Sequence, residues 1–311
     1  MTHVPIHTSW PTEPLRRVEN ILTDGCGSVE EWDFSLANSS YESRVYFVSK
    51  VASICYGNPK ALGSISLFDR LQAEAAGLPS SSYEFVPVLL DMKKTKSTYS
   101  GEIVTSVDLV NSKETLVNCI KFGEYIVGTN YLLTNLRALI ADVGPDESLK
   151  YLNTSEEEIQ IIRDNFKVYL FNVDLSTRAQ MVRHRCSWQE LSRRYVSGKK
   201  TPFDFYISDK LMDISQTLWI DIGLGNQTSQ EISTNSLISV CVAHYNAAIA
   251  SGVKPEEARR ILPQAMMTTI WGAFQPTQLA NFFTLRLHKT AQREIQQTAQ
   301  AMHDLIHAQN E

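Results

Sequence analysis

Residues 166–173 read FKVYLFNV, a run so rich in aromatic and branched side chains that it reads as a β-strand. The segment before it, TSEEEIQIIRDN (154–165), reads as a helix with acids in its first turn, where they suit the dipole. A helix abutting such a strand calls for a fold that uses both elements. Further strand signal lies in YEFVPVLL (83–90), and YIVGTNYLLTNLRALIADVG (125–144) reads as a strand running into a short helix. In SLFDRLQAEAAG (66–77), Leu67, Phe68, Leu71 and Ala75 share a helical face, Ser66 with Asp69 resembles a capping pair, and Gly77 can close the end. Helices are expected from Ser233 to Ala250, at PEEARRIL (255–262), and over Pro276 to His307, where Pro276 suits a first helical position. Residues 1 to about 40 look irregular, punctuated by Pro5, Pro11, Pro14 and the turn DGCGS (24–28). A polar stretch runs from Asp91 to about Ser112. The expected fold is mixed α and β with a helix-rich second half.

The segment RAQMVRHRCSWQELSRRYV (178–196) carries five arginines and a histidine against one acid, Glu190. The chain as a whole is acidic, with a net charge of −5, so this is a local feature and not a basic coat. Nucleic acid is therefore not an expected partner. Hydrophobic residues make up 43% and charged residues 20%, as in an ordinary globular protein. No apolar run approaches the roughly 20 residues that span a bilayer, so no membrane partner is expected. MTHVPIHTSWPTEP at the amino terminus lacks the pattern of a signal peptide, and a cytoplasmic location is expected. The five cysteines (Cys26, Cys55, Cys119, Cys186, Cys241) are never spaced C-x-x-C, which argues against a disulfide framework or a metal site. Cys186, among arginines, is either a stabilised thiolate or a small residue in a packed turn, the latter favoured. No G-x-G-x-x-G, P-loop or H-E-x-x-H pattern occurs.

A helix from Thr177 to about Arg185 would put Gln180, Arg183 and His184 on one face. Beyond Ser187 an extended chain would send Glu190, Ser192 and Arg194 to one side. Together they offer an acceptor, a hydroxyl and planar cations, which is what a nucleotide's phosphate and base edges need. The alternative is a solvated basic face tied by surface ion pairs.

The same stretch resembles the signature of the flavin-dependent thymidylate synthases: R-H-R (Arg183, His184, Arg185), a spacer, then S-x-R-Y (Ser192, Arg194, Tyr195). The carboxyl-terminal half strengthens the likeness. Residues 251–302 keep the pattern A-R-x-x-L-P with Arg259, N-F-x-x-L-R with Asn281 and Arg286, and A-Q-x-E-I. FYI (205–207) also resembles the segment after the signature. The likeness covers roughly residues 165–305, with a fainter match at 50–90.

The resemblance implies an α+β fold with a central antiparallel sheet and flanking helices. It implies a single domain over 1–311 with an irregular extension (about 1–40) and an insertion (about 91–160). The implied reaction is reductive methylation of dUMP to dTMP, with FAD as cofactor and NADPH and methylenetetrahydrofolate as co-substrates, in a homotetramer whose active sites lie between subunits. Carried over by position, Gln180, Arg183, Glu190, Ser192, Arg194, Arg259 and Arg286 would contact dUMP, and Arg286 and Ser192 are the expected catalytic groups. Arg183, His184, Arg185 and Asn281 would hold the flavin, although Asn281 could instead be a core residue beside Phe282 and Phe283. PSSSYEF (79–85) is the likeliest counterpart of the early flavin element, which supplies Ser81 and Glu84.

The chain departs from the pattern in three places. Six residues separate Arg185 from Ser192 where the family usually has seven, and Pro79 and Phe85 stand where it has histidines. Its N-A-R is here Gln275, Pro276 and Thr277, so an arginine is lost; Gln275 remains a flavin-site candidate. TNLRALI echoes N-x-R through Asn135 and Arg137. These departures keep two other readings open: C5 methylation or hydroxymethylation of another pyrimidine nucleotide, and a non-catalytic nucleotide-binding protein.

Overall fold

The computed structural model describes residues 10–57, 65–72, 79–92, 116–223 and 226–308. Along the chain run β1 (Arg16–Glu19), β2 (Ser28–Trp32), α1 (Tyr41–Ser53), α2 (Ile65–Gln72) and β3 (Pro87–Asp91). Then come α3 (Val117–Phe122), β4 (Glu124–Tyr125), β5 (Tyr131–Asn135), α4 (Leu136–Val143), α5 (Glu156–Asn165), β6 (Lys167–Asp174), α6 (Leu175–Met181) and β7 (Ser187–Glu190). The remainder comprises α7 (Asp209–Met212), β8 (Ser215–Gly223), β9 (Asn226–Ser233), α8 (Thr234–Ala250), α9 (Pro255–Ala258), β10 (Met267–Phe274), α10 (Pro276–Arg286) and α11 (Arg293–His307).

The main sheet is antiparallel, in the order β1-β2-β6-β10-β7. Its central strand β6 is the FKVYLFNV run, and the run is apolar on both faces because both are covered. Val168 joins a core with Trp32, Phe47, Val51, Trp271 and Ala273. Tyr169, Phe171 and Val173 pack on the opposite face with Phe282, Ile295 and Met302 of α10 and α11. A smaller sheet, β3-β5-β4, and a β8-β9 hairpin complete the strands. The α+β class, the central antiparallel sheet and the helix-rich second half are thus all observed.

Several local expectations hold. Ser155 caps α5 through a capping box with Glu158, and β5 runs directly into α4. Phe68 and Leu71 of α2 are buried. That helix starts at Ile65, which puts Ser66 inside it and not at its cap. Ala75, Gly77 and most of the polar stretch Asp91–Ser112 lie outside the described residues.

Other expectations need correcting. The strand expected at 83–90 begins only at Pro87, because Ser81–Phe85 form a 3-10 helix capped by Ser80. The tight turn lets the buried Tyr83 hydroxyl donate to the Phe68 carbonyl at 3.0 Å. Residues 1–40 are not wholly irregular, since they contain β1 and β2 of the main sheet. Charge obscured them: Glu31, only 2% exposed, is paired with Arg16 on the neighbouring strand. The Pro276–His307 segment is two helices, broken after Arg286. The hairpin of β8 and β9 was not anticipated.

Candidate active site

The helix expected from Thr177 to Arg185 stops at Met181. The chain must reverse there to lay β7 against β10, in register from Ala273↔Ser187 to Ile270↔Glu190. The reversal is built from close backbone bonds: His184 N donates to Met181 O and Cys186 N to His184 O, both at 3.0 Å. His184 is therefore drawn inward, its ring 4.8 Å from that of Phe282, while Arg183 and Arg185 stay exposed. The extended run expected through Arg194 also ends early, at Glu190. Tyr195 N and Val196 N both donate to Ser192 O, so Ser192 opens a turn.

Close approach fixes β7. A Cβ on Gly272 would lie 2.6 Å from Trp188 Cζ3 and 3.1 Å from a carbon of each flanking phenylalanine ring, Phe171 and Phe274. Only glycine lets the Trp188 indole cross β10 there. That indole also donates to His184 O at 3.2 Å, which ties the strand to the turn.

The centre of the site is Arg286, the last residue of α10. Its Nε donates to His184 Nε2 at 2.7 Å and its Nη2 to Gln180 O at 3.0 Å. Acceptance at Nε2 requires that nitrogen to be unprotonated, so the ring is neutral with its hydrogen on Nδ1. Burial, and then the Arg286 charge, pull the His184 pKa down to about 4. Burial and the neighbouring Arg183 lower that of Arg286. The His184 shift keeps the ring neutral and able to accept, while burial and Arg183 work against the Arg286 charge, which the bonds to His184 and to the Gln180 backbone carbonyl offset.

Arg183, His184, Arg185, Asn281 and Arg286 line one cavity of about 410 Å³. Asn281 is exposed on its wall, which removes the core alternative. A second cavity of about 940 Å³ includes Glu84, Arg185 and Gln275. The two cavities share Arg185, Thr277 and Gln278. Gln275 is buried; it caps α10 and donates to Phe122 O at 2.9 Å. Ser81 lines neither cavity, and its hydroxyl donates to Gln189 Oε1 at 2.7 Å.

The remaining candidates stand apart from these cavities. Glu190 is engaged by Arg178, whose Nε is 2.8 Å from Oε2, and by the Thr268 hydroxyl at 3.1 Å. Arg194 lies 3.5 Å from Glu256 of α9, the helix whose C-cap is the exposed Arg259. Gln180, by contrast, meets the Arg286 guanidinium through its backbone carbonyl, while its side-chain amide donates to Gln292. Arg193 is structural: it is buried over the Phe203 ring and donates to Thr201 O and Pro202 O. Of the five arginines in the stretch, Arg178 and Arg194 are ion-paired and Arg193 is held by backbone carbonyls, whereas Arg183 and Arg185 have no ion-pair partner among the described residues and line the smaller cavity. Cys186 is half-buried, and burial pushes its thiol up, which fits the packed-turn reading.

Sequence reasoning missed Trp188, Gly272 and Thr268, which hold β7 in place. The only sequence signal for them was a glycine inside an apolar strand.

Comparison with known proteins places this geometry in a family. Residues 155–309 match the family described as thymidylate synthase complementing protein. The flavin-dependent thymidylate synthase of Aquifex aeolicus is 32% identical over 146 residues, which cover 46% of this chain and 45% of that protein. That of Geobacter sulfurreducens is 28% identical over 183 residues, 55% of this chain and 73% of the relative. A solved structure, a UMP/dUMP methylase from Streptomyces cacaoi bound with 5-Br UMP, is 23% identical with a TM-score of 0.35, covering 46% of this chain and 69% of that one, too loose a fit to bear on the fold. The chain spans about half the length of the first curated relatives it matches. Through residues 155–309, which carry Arg183, His184 and Arg286, the chain belongs to the thymidylate synthase complementing protein family.

Proposed function

We propose that the protein is a flavin-dependent thymidylate synthase, which methylates dUMP reductively to dTMP using FAD, NADPH and methylenetetrahydrofolate. The observation that carries this reading is Arg286, anchored by His184 and Gln180 at a cavity that Arg183, Arg185 and Asn281 also line. The names of the relatives support it. FAD, when bound, supplies the electrons that reduce the transferred carbon.

The donor set fits that cofactor. Two adjoining cavities meeting at Arg185 suit a long molecule with phosphates in its middle. Arg183, His184, Arg185 and Asn281 would hold it from one side, and Glu84 and Gln275 from the other. Ser81 would act through Gln189, to which it is bonded.

Arg286 has the substrate role with the clearest physical basis. A preorganised cation next to the pyrimidine stabilises the negative charge that develops as carbon 5 is activated, without reorganising at the moment of reaction. Neutral His184 fixes its direction and adds no competing positive charge. Gln180, Arg183, Glu190, Ser192, Arg194 and Arg259 would grip the nucleotide. Ser192, Arg194 and Arg259 line neither cavity of their own chain. A second copy that supplies them across a subunit boundary would complete the site, which supports self-association; the homotetramer is what the family resemblance implies. Chemistry on nucleotides and folates suits a cytoplasmic location; among the described residues no helix is long and apolar enough to cross a membrane.

The test is a mass spectrum of dUMP after incubation with the purified protein, FAD, NADPH and methylenetetrahydrofolate. A product heavier by CH2 and dependent on FAD is expected. A product heavier by CH2O would move the assignment to hydroxymethyl transfer. Unchanged dUMP with NADPH consumed would point to another pyrimidine nucleotide. Unchanged dUMP with no flavin bound would favour a non-catalytic nucleotide-binding protein.

A further inference from the structure

We propose that Arg137, which lies outside the family match, grips the phosphates of a dinucleotide held in the larger cavity. The inference rests on the flavoprotein reading above. Part of that cavity's lining, with Arg185 and Thr277, belongs to residues 155–309, while another part, with Glu84, Lys121 and Arg137, comes from earlier in the chain. The two parts are joined by specific bonds. Gln275 Nε2 donates to Phe122 O at 2.9 Å, and Thr277 N donates to the two Glu124 carboxylate oxygens at 3.2 and 3.0 Å. The cavity is therefore a built feature shared by both halves.

Arg137 is preorganised within it. Its Nε donates to Pro79 O at 2.8 Å and its Nη1 to Glu84 Oε1 at 2.6 Å, while Nη2 has no partner among the described residues. The side chain is about a third exposed, at 36%, so the free edge of the fork remains accessible. A guanidinium fixed at two of its nitrogens loses little freedom when the third binds an anion. Lys121 and Arg185 line the same cavity, making three cations. Its two carboxylates are already engaged, Glu84 by Arg137 and Glu124 by Thr277. The excess charge is positive, and phosphate is the ligand group that such forked donors match best. Asn135, the other half of the N-x-R echo, caps α4, its Oδ1 accepting from Ala138 N at 3.0 Å.

The test is equilibrium binding of FAD and of riboflavin, which lacks phosphate, to the full-length apoprotein, read by flavin fluorescence. Arg137→Ala should weaken FAD by about tenfold or more while riboflavin is unaffected, as expected for loss of a charge-assisted bond to phosphate. Thr277→Arg, which puts a cation elsewhere in the lining of the same cavity, should restore FAD affinity in the Arg137→Ala background. If Arg137→Ala fails to fold by circular dichroism, Arg137→Gln, which can still donate to Pro79 O, takes its place with the same expectation. Equal loss of both flavins would mean that Arg137 only supports the wall, and unchanged FAD affinity would mean it touches no phosphate; either overturns the proposal. Wild-type protein that binds neither flavin would instead sink the flavoprotein reading, and the role of Arg137 with it.

Discussion

Two predictions belong to single side chains. Arg286→Ala should lower dTMP formation by about a hundredfold or more, the scale of losing a preorganised group that stabilises developing charge. The assay is product formation with the far-ultraviolet spectrum checked for folding, and substantial remaining activity would remove Arg286 from the chemistry. The second concerns His184. Its pKa is about 4 in the fold against an ordinary value of 6.5, so the unfolded chain takes up the proton first as pH falls. The stability that His184 contributes is complete above about pH 6.5 and is lost as pH falls towards 4, a cost on the order of 3 kcal/mol. Urea midpoints measured across that window should decline in the wild type and decline less in His184→Gln. Parallel declines would mean that the ring is not buried neutral. R-H-R and the arginine at the end of α10 are both visible in the sequence, but their meeting is not. Residues 184 and 286 stand 102 positions apart and are joined only because the turn after α6 and the end of α10 pack on one face of the sheet.

At the scale of elements, the short strand β7 shows how site geometry depends on packing. It is held by its ladder with β10, by the Trp188 indole and by the absence of a side chain at Gly272. Gly272→Ala should cost about 1–3 kcal/mol, because three aromatic rings cannot all give way to one methyl group. Denaturant unfolding measures that cost, with Trp188 fluorescence reporting any shift of the ring. An unperturbed midpoint would show that β7 can slide. Helix and strand identity was largely legible wherever one period ran unbroken, as in FKVYLFNV and in the acid-led α5. Endpoints were less legible. α6 ends at Met181 although nothing in Val182–Arg183 breaks a helix, because sheet pairing takes the chain elsewhere. β1 and β2 were hidden by charged residues that pair across the strands.

At the scale of the molecule, α8 stands out. Its 17 residues, TNSLISVCVAHYNAAIA, include no Asp, Glu, Lys or Arg, yet only Tyr245 is buried. Leu237 and Val240 are 51% and 59% exposed, and Trp219 on the adjoining hairpin is 69% exposed. An apolar surface of that kind on a globular chain marks a contact with another protein, and the proposed tetramer supplies one. The double variant Leu237→Asp, Val240→Asp should sediment as a smaller species than the wild type and lose dTMP formation with it. Wild-type protein that sediments as a monomer would defeat the prediction.

Sequence alone determined the class of fold, most of the helices and the strand β6, and the family to which residues 155–309 belong, while β1, β2, α1, the β8-β9 hairpin and the core strand β10 were not legible in it. The legible features follow from local periodicity and from motifs that a linear chain displays. The tertiary structure decided which arginines are free to bind. Arg178 is satisfied by Glu190 and Arg193 by backbone carbonyls, whereas Arg183 and Arg185 are left facing a cavity. It also brought Arg137 and Thr277 to the lining of one cavity, which no spacing rule relates. The reason is physical: a charged side chain's function depends on whether its counter-charge lies within a few ångströms, and that distance is fixed by packing between segments far apart in the chain.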